Sequence, residues 1–226
     1  MIASRSRFAF VGERDYIHAP MIFEGLRSAT MAAAGQDGLD LEVGSFRVNT
    51  PVAADGEIRA FAAPPSPTDL AGAAAEMRSS LAGKPFWLAL FREPSTAVVA
   101  REPATEQGLV REFHVREQFG GHATLAGTDT NYALMRAVAE ANKQIHIASL
   151  PPRADGRPHR FRFVYCLGYV CPAHLASGEA ELDIKHVGLQ RNDGYVFTLN
   201  ALSLSVGGRK HAFRLCYASR DIHDLV

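Results

Sequence analysis

The stretch from Asp15 to Gly35 constrains the fold of this 226-residue chain more than any other. Pro20 suits the first turn of a helix, where a missing N–H leaves no bond unmade, and Gly35 suits the C-terminal stop. Between them Met21, Ile22, Phe23, Leu26, Ala29, Ala32, Ala33 and Ala34 leave almost no polar face. A helix that is apolar nearly all round belongs in an interior. Glu24 stands inside it, and a buried carboxylate is expensive unless it is paired or protonated. That mismatch makes Glu24 the first candidate for chemistry.

Lys plus Arg and Asp plus Glu both number 24, so there is no excess charge to capture nucleic acid or an anionic membrane. No apolar run approaches the roughly 20 residues of a membrane span. Residues Met1 to Arg7 lack the apolar core of a signal peptide. The expected setting is therefore cytoplasmic, with neither nucleic acid nor membrane as partner. Cys166, Cys171 and Cys216 are odd in number and lie in apolar, strand-like runs, which reads as reduced, buried thiols. Cys166, Cys171 and His174 match no standard zinc spacing, so no metal is expected.

Along the chain, Arg7–Gly12 reads as a short strand leading into the apolar helix, and Leu39–Asn49 alternates with the period of a half-buried strand. Ala54-Asp55-Gly56 reads as a hairpin turn into Glu57–Phe61. After the Pro64–Pro67 break, the Ala-rich run Leu70–Leu81 reads as an inserted helix, near residues 69–82. Lys84–Arg92 and Ser95–Arg101 follow as a second hairpin. The pattern then restarts with a strand at Leu109–Arg116, a glycine-rich loop from Gln118 to Gly127, and a helix from about Thr130 to Gln144, capped by Thr128 or Asp129. Four strand-like runs close the chain: Arg160–Val170, Glu181–Gln190, Tyr195–Val206 and Lys210–Ser219. Asn192-Asp193-Gly194 and Gly207-Gly208 are the turns between the last three.

Residues 1–103 and 108–226 thus share one order: strand, long buried helix, then strands joined mostly by hairpins. One antiparallel sheet wrapped around one buried helix resembles the hot-dog fold, and two copies in one chain resemble a double hot dog. The resemblance implies an α+β protein of two pseudo-twofold-related units, a monomer or a homodimer. A β-sandwich with peripheral helices is the rival architecture, and the apolar character of Pro20–Ala34 speaks against it.

Within that fold, Pro20-Met21-Ile22-Phe23-Glu24-Gly25-Leu26 resembles the central-helix signature of 3-hydroxyacyl-carrier-protein dehydratases: Pro-Gly, an apolar run, a catalytic acid, then Ala-Leu. It also resembles the first unit of A-factor-type butyrolactone-synthesis proteins, which carry a helix Glu after an apolar run. The match puts Glu24 at the catalytic acid. The resemblance further implies a His on the loop before the helix of the other unit, which removes the α-proton of an acyl thioester while the acid protonates the leaving hydroxyl. His122 precedes the second helix, so Glu24 with His122 is the leading pair; His18 with Asp129 or Asn131 is its mirror. Gly25, Arg27, Gly127, Asn131 and Tyr132 adjoin these groups and are the candidates for substrate contact. His122 lacks the following Phe-Pro-Gly of those enzymes, and Ala133 stands where a counterpart of Glu24 would fall, so at most one complete site is expected.

Simpler roles stand beside these: Glu24 paired with Arg27 in a structural core, Asp129 as a helix cap, His18 as a cap or a partner to a strand. The implied function is acyl-thioester processing in fatty-acid-like or polyketide-like metabolism. The substrate would be carried on the phosphopantetheine of an acyl carrier protein or on CoA, with no resident cofactor. Dehydration or hydration of a 3-hydroxyacyl group is the most concrete version. Acyl transfer or thioester hydrolysis with Glu24 as base is the first alternative, and non-catalytic acyl-chain or carrier binding the second.

Overall fold

The computed structural model describes residues 2–11, 16–36, 38–93, 100–102, 108–175 and 178–222. In chain order the elements are β1 (Ile2–Ser6), β2 (Ala9–Val11), α1 (Ala19–Ala34), β3 (Leu41–Val48), β4 (Gly56–Phe61), β5 (Ala73–Leu81), β6 (Lys84–Arg92) and β7 (Ala100–Glu102). Then come β8 (Val110–Glu117), β9 (Gly120–Leu125), α2 (Asn131–Ala148), β10 (Arg162–Cys171), β11 (Ala180–Asn192), β12 (Tyr195–Val206) and β13 (Arg209–Ser219). The chain divides into two compact units. Unit 1 comprises Met1–Thr105 with Leu167–His174, and unit 2 comprises Glu106–Cys166 with Leu175–Val226.

In unit 1 the strand order is β1-β4-β6-β5-β3, antiparallel throughout. A small parallel pair, β2 with β7, stands apart from it. Helix α1 packs on β4, β5 and β6. Its ends are the expected ones: Pro20 lies in the first turn, and Gly35 closes the helix in the left-handed conformation at φ 62°, its N–H donating to the Met31 carbonyl. The interior is built on Phe23, whose ring meets Phe46 and Tyr169 edge-on at 5.3 and 5.7 Å.

Three expectations for unit 1 are corrected. The helix expected at Leu70–Leu81 is strand β5 from Ala73 onward. Its alanines favour a helix in isolation, but Ala73, Ala75, Met77, Ser79 and Leu81 are buried at every second residue, the strand period, and β3 and β6 pair with it on either side. The expected hairpin at Ala54–Gly56 does not form, because β3 pairs with β5 while β4 pairs with β1 and β6. Asp55 instead accepts a hydrogen bond from the Phe8 N–H at 2.9 Å. Finally, α1 is not buried all round: its interior face is Ala19, Pro20, Ile22, Phe23, Leu26 and Thr30, while Ser28 and Ala32 are exposed. Alanine exposes little apolar area, so an Ala-rich face can meet water at small cost. The strand expected at Ser95–Arg101 lies mostly outside the described residues.

Unit 2 has the order β13-β12-β11-β9-β8, again antiparallel, with the start of β10 beside β13. The two tight turns sit where the sequence places them: Asp193 and Gly194 have φ of 49° and 70°, Gly207 and Gly208 of 58° and 74°. Two successive positive φ values make the primed turn that matches strand twist. Here the helix is the deeply buried element, since every residue from Leu134 to Asn142 is buried. Its N-cap is Thr130, not Thr128 or Asp129; the Thr130 hydroxyl accepts from the Ala133 N–H at 3.1 Å. Thr130→Ala should lower stability by about 1 kcal/mol, read from the urea midpoint at unchanged slope.

Candidate functional site

On α1, Phe23, Leu26 and Thr30 run down the face turned to the sheet, so Glu24, Arg27 and Ser28 fall on the neighbouring stripe. The Glu24 side chain is 27% exposed, so the expected greasy enclosure of this carboxylate is corrected to a half-buried position. Arg27 clamps it from one turn on: Nε donates to Oε2 at 2.8 Å and Nη2 to Oε1 at 2.7 Å. Ser28 Oγ adds a bond to Oε1 at 3.0 Å. Spacings of three and four residues bring these groups onto one helix surface. The Cys171 thiol is buried in the same unit; burial pushes its pKa up, and the charges of Arg27, Glu24 and Asp40 also act on it. Gly25 packs edge-on to the core, where a Cβ would come within 3.2 Å of the Phe8 ring. His18 is the N-cap residue of α1 and caps through its carbonyl, which accepts from the Met21 and Ile22 N–H groups at 2.9 and 3.3 Å, not through its ring.

His122 lies on strand β9, not on a loop. Its strand neighbours Ala123 and Leu125 are fully buried, whereas His122 stands opposite Asp183 and His114 on the other face of the sheet. The face assignment follows from β11, where Leu182 and Ile184 point inward and Glu181 and Asp183 point out. Nε2 of His122 faces Glu181 Oε2 at 2.7 Å and Nδ1 faces Asp183 Oδ1 at 3.0 Å. Glu24 and His122 thus belong to different units, and each has its partners within its own.

Asp129 and Gly127 are exposed, with Gly127 at φ 63°. Asn131 and Tyr132 occupy the half-buried first turn of α2, where the Arg136 guanidinium lies 5.3 Å from the Tyr132 ring centre.

A constellation that sequence reasoning passed over fills the middle of unit 2. His146 is fully buried on α2, with Nδ1 2.6 Å from the Asn142 carbonyl and Nε2 2.8 Å from Thr198 Oγ1. A ring nitrogen beside a carbonyl must donate, so Nδ1 carries the proton and Nε2 accepts from Thr198. Asn200 donates to the Phe119 carbonyl and to Asn142 Oδ1, both at 2.9 Å, and its own Oδ1 faces His186 Nδ1 at 3.2 Å. Phe119 stacks on the His146 ring at 5.0 Å. Burial pushes His146 down to about 4, against the opposing pull of its bond to Asn142. Burial also pushes Tyr217 up; its hydroxyl donates to the Ala139 carbonyl at 2.9 Å. The signal available in the sequence is Thr198 and Asn200, polar residues at the inward positions between Val196 and Leu202. Among the described residues no His, Cys, Asp and Glu side chains group as a metal site, and no helix is long and apolar enough to cross a membrane.

No family model matches the chain, and no curated protein is significantly similar to it in sequence. Solved structures are similar in fold. A conserved hot-dog-fold protein of unknown function from Alicyclobacillus acidocaldarius is similar at 11% identity and a TM-score of 0.50, over 96% of this chain and 91% of that one. An isomerase-inactive variant of GphF DH1 is similar at 11% identity and a TM-score of 0.52, over 99% of this chain and 93% of that one. With one helix packed on an antiparallel sheet in each of its two units, the chain has the α+β double hot-dog fold.

Proposed function

We propose that this protein acts on an acyl thioester, carried on CoA or on the phosphopantetheine of an acyl carrier protein, and that hydrolysis is the reaction its residues suit best. The observation that carries this reading is the state of Glu24. It accepts three hydrogen bonds and donates none, the arrangement of a carboxylate, which is the form from which a general base starts, and Oε2 carries only one of the three, leaving a lone pair for a water proton. A water activated by Glu24 would attack the thioester carbon. The C–S bond then breaks, and the thiolate leaves to become the free thiol, with the proton returned from Glu24. His122, bracketed by Glu181 and Asp183, has no part in this scheme.

Dehydration of a 3-hydroxyacyl group is the second reading, favoured by the likeness of the Pro20–Leu26 segment to the dehydratase helix. It has to begin from the acid form of Glu24, whose proton would compete with the Arg27 and Ser28 donors for the carboxylate oxygens, whereas hydrolysis begins from the carboxylate and passes through that form only between its two proton transfers. Incubation of the protein with acyl-CoA and 3-hydroxyacyl-CoA, followed by mass spectrometry, separates the two. Hydrolysis releases free CoA; dehydration removes water and leaves the carrier attached. Glu24→Gln should lower hydrolysis about 100-fold or more, while His122→Ala leaves it nearly unchanged. Loss of water with CoA retained, abolished by both substitutions, would replace hydrolysis by dehydration. A wild-type protein that turns over neither substrate would overturn both.

A further inference from the structure

Strand β8 ends the strand order of unit 2, and among the described residues it pairs only with β9. Its free edge presents backbone donors and acceptors that another strand can satisfy. Charged side chains on such an edge ordinarily keep copies apart, but the order of signs here does the opposite. The strand reads Val110-Arg111-Glu112-Phe113-His114-Val115-Arg116-Glu117. Placed antiparallel to itself about His114, it sets Glu112 opposite Arg116 and Phe113 opposite Val115, each pair occurring twice.

Facing pairs must also project from the same side of the sheet, and the register on β9 lets this be checked. Glu112 lies opposite Thr124 and His114 opposite His122, both on the outer face; Arg116 reaches Asp183 on that same face. Phe113 and Val115 lie opposite Ala123 and Gly121, on the helix side. The Glu112–Arg116 pairs therefore meet on the outer face and the Phe113–Val115 pairs on the inner one. Val115 is 41% exposed, a large apolar side chain at an open edge. Arg111 is already held by Glu179, and Glu117 accepts from the His186 N–H at 3.2 Å, whereas the contacts of the other two charges are longer, 3.3 Å for Arg116 to Asp183 and 3.4 Å for Thr124 to Glu112. Sliding the copies by two residues sets Arg116 against His114 instead, so the sign pattern favours one register.

We infer that β8 is a self-recognition edge, through which two copies of this chain join antiparallel across a twofold axis at His114. Such an interface is isologous and closed, so it yields a dimer and not a filament. Sedimentation equilibrium of the full chain should give twice the 24.5 kDa chain mass. Arg116→Glu sets like charges opposite one another twice, and should weaken the dimer about tenfold or more. The swap Glu112→Arg with Arg116→Glu should restore it. A separate variant avoids dependence on charge: His114→Cys would face its own copy at a separation that a disulfide spans. The native cysteines are buried, so a disulfide-linked dimer on mild oxidation should come from residue 114, and a Glu112→Cys control should not form one. A wild-type chain that sediments at single mass, an Arg116→Glu dimer of undiminished strength, a swap that fails to rescue, or a His114→Cys chain that does not cross-link would each overturn the inference.

Discussion

Lowering the pH from 6.5 to 4 should cost the protein about 3 kcal/mol of stability through His146. The sign follows from where the proton goes. In the unfolded chain the imidazole takes up a proton near its ordinary 6.5; in the folded protein burial holds it neutral down to about 4. Between those values only the unfolded state is protonated, so acid favours unfolding. The contribution is complete above 6.5, shrinks as the pH falls, and has gone near 4, where the folded state protonates as well. Asp155, held down to about 2 by its bonds to Arg153, titrates below this window and does not confuse it. Urea unfolding at half-unit pH steps reads the slope directly. The double substitution His146→Phe with Thr198→Val removes the titrating ring and the hydroxyl that serves it, and should flatten the profile between 6.5 and 4. A profile of unchanged slope in that variant would show that the acid sensitivity lies elsewhere.

Gly121→Ala should destabilise the fold by about 3 kcal/mol, the upper end of what overpacking usually costs. A Cβ at this position would run into the His114 carbonyl oxygen and lie 3.1 Å from the His114 carbonyl carbon and 3.2 Å from Val115 Cα. All three are backbone atoms, so no rotamer change can relieve the conflict. The strands must part, and the bulge between Val115 and Glu117 is where they would. Gly188→Ala is the control: nothing lies within 4 Å of the added carbon, and its effect should stay within about 0.5 kcal/mol. Denaturant midpoints at constant slope give both values. Equal midpoints for the two variants would mean that the hairpin yields more readily than its packing implies.

The same glycine is the reason His122 lies on strand β9 where its neighbours suggest a loop. Gly120 and Gly121 beside it read as loop punctuation, because a glycine gives no sign of whether it serves flexibility or close approach. Leu70–Leu81 departs from its expected helix for a related reason: alanine favours a helix locally, and only pairing with β3 and β6 makes this run a strand. Glu24 was legible in part. Its pairing with Arg27 was open to view as a three-residue spacing, whereas its half-exposure depended on which face of α1 the sheet would cover.

Features whose causes lie within a few residues were present in the sequence itself. The cap at Gly35, Pro20 in the first turn, the turns at Asp193-Gly194 and Gly207-Gly208, and the strand periods around them each follow from local backbone sterics. The strand–helix–strand order of each half was legible from the same local signals in outline only, and the double hot-dog reading came from its resemblance to a known fold; the strand at Ala73–Leu81 and the pairing of β3 and β4 with other strands were not legible. The polar interior of unit 2 does not. His146 meets Thr198 across 52 residues, and Asn200 meets Phe119 across 81. Whether a buried imidazole is a liability or a satisfied neutral ring depends on which distant strand supplies its partner, and that is decided only when the sheet closes over the helix.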